Sequence, residues 1–433
     1  MRDIKTQTLM ALLLVFVSFP MVAEVFTLET LLQQTMQNNL ELKLKQEEVS
    51  RLNIVLQKEV LSQRLTTLNV NGNASTEFTH LLSGGSSQAL NTAGTAGVTL
   101  SKILYQFKGG RLSAKVKKSG YSVQMAVYAL ERKKQTLRKQ VQHTYFDLLN
   151  ALADQKEDQA SLKRLREHAR ISGVFYEQGS VWKNDVLQSQ VKIAQGEKQL
   201  ISSRNSVRRH MAQLNRLMNR AIDADIEVLG TLMYRPVTVE WLQLKQRVDQ
   251  NTHPDMLSIL LAQQMSQTDV KMAQAENSPE VTVLGRYNNA YDFSQGRMSE
   301  DDVALSVSLS WPLWDSGVTE KEISLSKSAQ IKSDIKVHEK SQEILLAVRN
   351  SWYNLEEAIG QLGVLKQALA SAQENYRVNQ VRYQEQLGSA NDLLSAQDLL
   401  SASKKDWLAS LAQYNKAIFT LQYDLGVDSL SFN

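Results

Sequence analysis

The sequence predicts a mainly α chain with a membrane β part, built from long antiparallel helical hairpins and four β-strands. Three observations carry that reading. Proline is scarce, five in 433 residues, and none lies between Glu24 and Arg235. The chain is written twice, with its two best-matched blocks 207 positions apart. Four short segments switch from helical spacing to strict alternation.

Arg2 and Lys5, the apolar run LMALLLVFVSF and the small Ala23 have the order of an export signal over residues 1–23, so the mature chain is expected to start at Glu24. The run is shorter than the ~20 residues a spanning helix needs. There is no cysteine, which excludes disulfides, thiolate metal sites and a lipidated N-terminal cysteine. No second apolar run of membrane-helix length follows. A mature chain that enters a membrane must therefore do so as a β-barrel, because every backbone polar group has to be paired there.

The repeat sets the organisation. TYFDLLNA from Thr144 matches SWYNLEEA from Ser351, and VFYEQGSVWKNDVLQSQ from Val174 aligns without a gap to VRYQEQLGSANDLLSAQ from Val381. Upstream, NNLEL at Asn38 resembles THPDM at Thr252 with a slightly different offset. The expected units are a first repeat over 24–229, a linker over 230–236, a second repeat over 237–427 and a tail over 428–433. Each repeat reads as helix, β-hairpin (about 67–106 and 279–314), long helix, turn and helix. The mature prolines fall at element boundaries: Pro236 in the linker, Pro254 at a helix break, Pro279 before a strand, Pro312 after one. The stretch from Leu112 to Ile171 predicts a rod of about 90 Å. Such a rod must pack against other rods, since no single globular core can bury it.

VALSVSLSW puts Val303, Leu305, Val307, Leu309 and Trp311 on one face and Ala304, Ser306, Ser308 and Ser310 on the other. That is the pattern of a barrel strand with lipid outside and water within. LNVNGNASTEF from Leu68, the region of Val98 and Leu100, and EVTVLGRYNNAY from Glu280 supply the other three strands. Tyr287, Tyr291, Trp311 and Trp314 are candidates for an aromatic girdle. Taken alone, the strands fit a half-buried soluble sheet equally well. Four strands cannot close a barrel, since the smallest bacterial ones have about eight. Three copies would supply twelve.

With the signal, FTLETLLQQTMQNNLEL at the mature start, two β-hairpins each followed by a long helical hairpin, and the paired turns EQGSVWKNDVLQSQ and QEQLGSANDLLSAQ, the chain resembles the TolC family of outer-membrane efflux and secretion proteins. The resemblance covers essentially all of Glu24 to Val427. It implies a homotrimer in the outer membrane of a Gram-negative bacterium, with a twelve-stranded β-barrel above a helical α-barrel that runs through the periplasm. It also implies a passive duct whose helical tips close the entrance. The partners implied are outer-membrane lipid, a periplasmic adaptor and an inner-membrane pump of the RND, ABC or MFS type. Small-molecule efflux and type I secretion use the same duct, so the substrate is not written in this chain.

The tips carry the candidate site. Asn184-Asp185 and Asn391-Asp392 open the return helices and are expected to cap them. By resemblance, Asp185 and Asp392 match the family's acidic tip positions. Ser395 stands where better-known members place a second acidic residue. Gly179, Ser180, Gly388 and Ser389 are turn formers and, by resemblance, candidates for adaptor contact. Charge is uneven, roughly +10 in the first mature half and −7 in the second, which suggests that opposite signs meet where the halves alternate around a tunnel.

Other signals point nowhere. LSGG at Leu82–Gly85 resembles an ATPase signature, but no GxxxxGK[ST] loop accompanies it, and it reads as a loop between strands. His80, His143, His168, His210, His253 and His338 are scattered without metal-ligand spacing. RLREHAR and SVRRH read as solvated helix faces, not nucleic-acid sites. No catalytic residue, cofactor or metal is expected. The alternative from another class is a periplasmic coiled-coil structural or adhesive protein that never enters the membrane.

Overall fold

A computed structural model describes residues 24–63, 65–78, 90–237, 239–250, 252–293, 295–298 and 301–427. The signal over 1–23, the LSGG loop, His80 and the 428–433 tail lie outside the described residues. In chain order the elements are β1 (Glu24–Phe26), α1 (Leu28–Asn38), α2 (Leu40–Ser62), β2 (Thr66–Phe78), β3 (Leu90–Lys108), α3 (Arg111–Glu177) and α4 (Lys183–Leu217). Then follow β4 (Ile226–Val228), α5 (Trp241–Asp249), α6 (Pro254–Gln274), β5 (Glu280–Asp292), β6 (Arg297–Met298), β7 (Asp302–Ser310), α7 (Val318–Gln384) and α8 (Ala390–Asp424).

The long helical hairpins of the two halves match residue for residue. Helices α3 and α7 each have 67 residues, about 100 Å of rod, and α4 and α8 each have 35. Both pairs start 207 positions apart. Left-handed backbone recurs at the same offset: Gly110 with Gly317, Gly179 with Gln386, Asn219 with Gly426. The last two pairs end helices the same way. After α3, the N–H groups of Gly179 and Ser180 donate to Tyr176 and Phe175; after α7, those of Gln386 and Leu387 donate to Tyr383 and Arg382. These bonds satisfy carbonyls that the helix end would leave orphaned.

The weaker NNLEL/THPDM match marks two equivalent helix starts. Asn39 caps α2, its Oδ1 accepting from the N–H of Glu41 (3.0 Å) and Leu42 (3.2 Å). At the matched position His253 caps α6, its Nδ1 accepting from Asp255 N–H at 3.1 Å, with Pro254 at the first helical position.

Two hydrophobic cores lie where the helices overlap with the connecting segments. One gathers Leu31, Leu137, Val141, Leu148, Leu214 and Met218; the other gathers Val348, Leu355, Tyr414 and Leu421. The sequence gives no signal for the short parallel pair β1–β4, which places Phe26 in the first core. The segment joining the halves is tied to both of them. Tyr145 Oη donates to Leu229 O at 2.9 Å, Tyr414 Oη to Arg235 O, and Asn415 Nδ2 to Met233 O at 3.1 Å. A Cβ on Gly230 would lie 2.0 Å from Tyr145 Oη, so any side chain there would displace the hydroxyl from its bond to Leu229.

Candidate functional site

The main sheet runs β2–β3–β5–β7, every neighbour antiparallel, with β6 extending the β7 edge at the far end of β5. Residues paired across an antiparallel ladder share a face, so the register assigns the faces. One face carries Val70/Val98/Asn289, then Leu68/Leu100/Tyr287/Val303, then Thr66/Lys102/Gly285/Leu305, then Tyr105/Val283/Val307 and Phe107/Val281/Leu309, so it is mainly apolar, with Asn289, Thr66 and Lys102 as its polar members. The other is mainly polar and carries Asn69/Thr99/Asn288/Asp302, Thr67/Ser101/Arg286/Ala304, Ile103/Leu284/Ser306 and Gln106/Thr282/Ser308. Asn71 donates to Thr99 (3.1 Å) and Thr99 to Asn288 (2.9 Å), a polar ladder across three strands.

A bulge between Ile103 and Tyr105 makes this segregation possible. Before it, even-numbered residues of β3 share the apolar face; after it, odd-numbered ones do. The extra residue therefore turns Tyr105 and Phe107 to the apolar side and Gln106 and Lys108 to the polar side, where Lys108 pairs with Glu280 at 2.5 Å.

Among the described residues nothing covers the apolar face. Val303, Leu305, Val307 and Leu309 are 68–79% exposed, and Leu68, Val70, Val98, Leu100, Tyr105 and Phe107 on β2 and β3 are 40–81% exposed. The half-buried soluble sheet is thus set aside, because a soluble sheet buries one face. The apolar band spans about 25 Å along the strands, the height of a barrel's lipid belt. Trp311 and Trp314, both exposed, follow β7 at the helical end of this band, and Tyr287 lies near the other end. No helix among the described residues is long and apolar enough to cross a membrane.

At the opposite extreme of the rods lie the two tips. Asp185 and Asp392 occupy the first turns of α4 and α8, where the helix dipole favours a negative charge. The expected caps are elsewhere. The residue before α8 is Ser389, whose Oγ accepts from Asp392 N–H at 3.1 Å; its counterpart before α4 is Trp182, which makes no side-chain cap. Asn184, Asp185, Asn391 and Asp392 already have helical backbone, so none can act as the flanking cap. Ser395 lies exposed on α8, one turn past Asp392. Gly179 takes the left-handed position of the first turn (φ +71°). In the second turn that position belongs to Gln386 (φ 61°), not to Gly388. Gly179, Ser180 and Ser389 are exposed and Gly388 half-buried.

The hairpins are pinned to each other just above the tips. Tyr383, 3% exposed, hydrogen-bonds Ser172 at 2.7 Å and lies 5.7 Å from the Phe175 ring. His168 Nε2 and Tyr376 Oη are 3.1 Å apart; burial holds the imidazole neutral by lowering its pKa. Lys192 of α4 meets Asp398 of α8 at 2.6 Å.

The model of the outer membrane efflux protein family matches residues 31–220 and 248–427, one segment on each repeat. The chain belongs to that family. It is similar to the outer membrane protein TolC of Escherichia coli (22% identical over 358 residues, 79% of this chain and 70% of the relative). The TolC of Salmonella enteritidis is 20% identical over 346 residues, 77% and 69% of the two chains. Among solved structures, VceC of Vibrio cholerae superposes with a TM-score of 0.78 at 17% identity, covering 92% of this chain and 96% of that one. The open-state outer membrane channel MtrE of Neisseria gonorrhoeae gives 0.78 at 18% identity, covering 92% and 89%.

Membership in the outer membrane efflux protein family puts the sheet in the outer membrane of a Gram-negative cell and the helices in the periplasm, against the alternative of a coiled coil that never enters the bilayer. The relatives are channel proteins. Among the described residues no cluster of His, Asp and Glu could hold a metal ion. Among the exposed tip residues that the sequence reading did not single out is Trp182, 84% exposed. Its signal was available, since it sits 207 positions before the capping Ser389 and cannot cap.

Proposed function

We propose that three copies of this chain form the exit duct of a tripartite efflux or type I secretion system, a passive conduit gated at the helical tips. The observation that carries this reading is the sheet. Among the described residues its outer strands β2 and β7 are each paired on one side only, and lipid tolerates neither open edges nor four-stranded fragments. Because β2 and β7 run antiparallel within the sheet order, β7 of one copy can pair with β2 of the next, and three copies close twelve strands. The uncovered face then meets lipid, and the Asn, Thr and Ser face lines a wet lumen.

At the entrance, Asp185 and Asp392 from three copies would ring the opening with six carboxylates, favouring cations there. Ser395 adds no charge. Splaying of the tips would have to release Ser172 from Tyr383 and Lys192 from Asp398. Gly179, Ser180, Gly388 and Ser389 present the turns to a periplasmic adaptor fed by an inner-membrane pump. Beside them Trp182 offers an aromatic anchor of the kind that dominates interfaces.

The test is extraction of the outer membrane in mild detergent, an SDS gel without boiling, and planar-bilayer recording. A trimer band with discrete conductance steps is expected. Monomer in the soluble periplasmic fraction would overturn the reading.

A further inference from the structure

A groove of about 810 Å³ runs along α8 between α3 and α7, a volume that suits a small molecule. Helix geometry fixes the side on which it opens. Tyr145 of α3 bonds Leu229, Asn415 of α8 bonds Met233, and Trp352 of α7 bonds Val239 (3.3 Å). These three side chains mark the face that carries the segment joining the halves. Asp147, Gln413 and Gln361 line the groove. They lie two, two and nine residues from those markers, about 160–200° around each helix at roughly 100° per residue. The groove therefore opens opposite the joining segment. A duct cannot hold three copies of that segment on its inside and stay open, so the groove faces the lumen.

The lining combines apolar surface with spare negative charge. Leu365, Ala409 and Ala412 supply the apolar part. Asp147 is matched by Lys416 at 2.7 Å. Glu357 and Asp406, both exposed in the groove, have no ion pair among the described residues. Glu357 is held in place by Gln361, whose Nε2 donates to it at 2.9 Å. Asn150 also lines the groove. Its Oδ1 is buried and accepts no hydrogen bond from the described residues, which costs free energy unless water or a ligand brings the donor.

Building on the duct reading above, we infer that this groove is a lumenal binding station for cationic amphiphiles, molecules with an apolar body and a protonated amine. The body covers Leu365, Ala409 and Ala412. The ammonium faces the uncompensated carboxylates of Glu357 and Asp406, and one of its N–H groups can donate to Asn150 Oδ1. An anion of the same size meets repulsion from the same two carboxylates. Exposed charges in a wet lumen hold such a ligand weakly, as conduction requires, since a cargo must leave as readily as it enters. The station lies in the wall of the tunnel, many helical turns from the carboxylates at the tips.

The test uses the full chain purified in a neutral detergent. It is titrated with 9-aminoacridine, a planar cation, and with anilinonaphthalene sulfonate, a planar anion, by fluorescence anisotropy against a detergent blank. The parent is expected to bind the cation saturably and more tightly than the anion. Glu357→Gln combined with Asp406→Asn should raise the Kd for the cation about tenfold. Ala409→Trp, which fills the groove from an exposed position, should abolish saturable binding. Unboiled gels report whether each variant is still a trimer. A trimeric parent whose affinity for the cation is unmoved by the paired substitution, or moved only by Asp185→Asn with Asp392→Asn at the tips, would overturn the station and leave the duct standing. Equal affinity for the two probes would overturn the ligand class. Monomers throughout, in the parent chain as well, would overturn the duct reading and the station with it.

Discussion

Lys404 of α8 lies 2.6 Å from Glu157 of α3, a carboxylate whose side chain has no exposed surface. Arg164 approaches the same carboxylate at 2.6 Å from its own helix. Burial opposes ionisation of Glu157, but hydrogen bonds from Lys404 and Arg164 outweigh it and leave the pKa lowered. Removing a cation from such a group leaves the buried carboxylate short of compensation, which costs up to about 3–5 kcal/mol. Lys404→Ala is therefore expected to lower the thermal midpoint of the helical region by several degrees, whereas Glu157→Ala, which leaves only the partly exposed Lys404 and Arg164 unpaired, should cost less. A double-mutant cycle between the two should show coupling, and Glu197→Ala at the position matched to Lys404 should change little. Circular dichroism melts of the purified protein check both.

The same pair predicts an acid limb. A carboxylate with a lowered folded pKa contributes stability above its unfolded value, and that contribution is lost as pH falls through the folded value. The stabilisation by Glu157 should hold above pH 4.5, its ordinary value, and fade below it. Chemical-denaturation midpoints measured from pH 6 to 3 should fall less in Glu157→Gln than in the parent.

His253 sets a second, higher window. Burial, together with the nearby Arg132, pulls its pKa down to about 4, and the helix cap uses the unprotonated Nδ1. The unfolded chain takes up this proton near pH 6.5, the folded one near 4, so stability present above 6.5 is lost progressively down to 4, on the order of 3 kcal/mol in all. His253→Asn should keep a capping oxygen and flatten melting temperature against pH across that window. A profile in the Asn variant as steep as the parent's would contradict this assignment.

Gln386 holds left-handed backbone that its repeat partner Gly179 fills with glycine. A non-glycine residue there carries about 1 kcal/mol of strain. Gln386→Gly is expected to stabilise the second tip by up to ~1 kcal/mol, and Gly179→Gln to destabilise the first by a similar amount. Hydrogen exchange of the tip amides would register opposite changes.

In the sheet, the two faces should respond oppositely to one substitution. Val307→Arg places a cation on the lipid face and is expected to cost about 2–4 kcal/mol if near the midplane. Ser306→Arg, one residue away on the polar face, should fold and insert, altering single-channel conductance and ion selectivity instead. Membrane yield of heat-resistant trimer and bilayer recordings separate the two.

Much of this fold was legible in the residues. Proline placement and the ungapped match from Val174 located helices whose ends fall 207 apart, and Val303 to Trp311 announced its strand by alternation. The bulge at Leu104 was not legible, because one extra residue in a run of mixed polarity leaves no period to detect. The pair β1–β4 was missed for a related reason: three residues are too few for a pattern, and only the packing of Phe26 makes them a strand. At the tips the Asn-Asp pairs attracted a capping role by residue type. The backbone gives that place to Ser389 and Trp182, two positions earlier, so composition found the turn and not its register.

The equal lengths of α3 with α7 and α4 with α8 also fix how this molecule can be resized. Both hairpins hang from one sheet and end at one level. Cutting a heptad from α3 and α4 alone would leave alternate tips about 10 Å short of their neighbours, a ragged rim that no common partner could cap. Reach across the periplasm can be changed only in matched steps, the same number of residues taken from or added to all four long helices together.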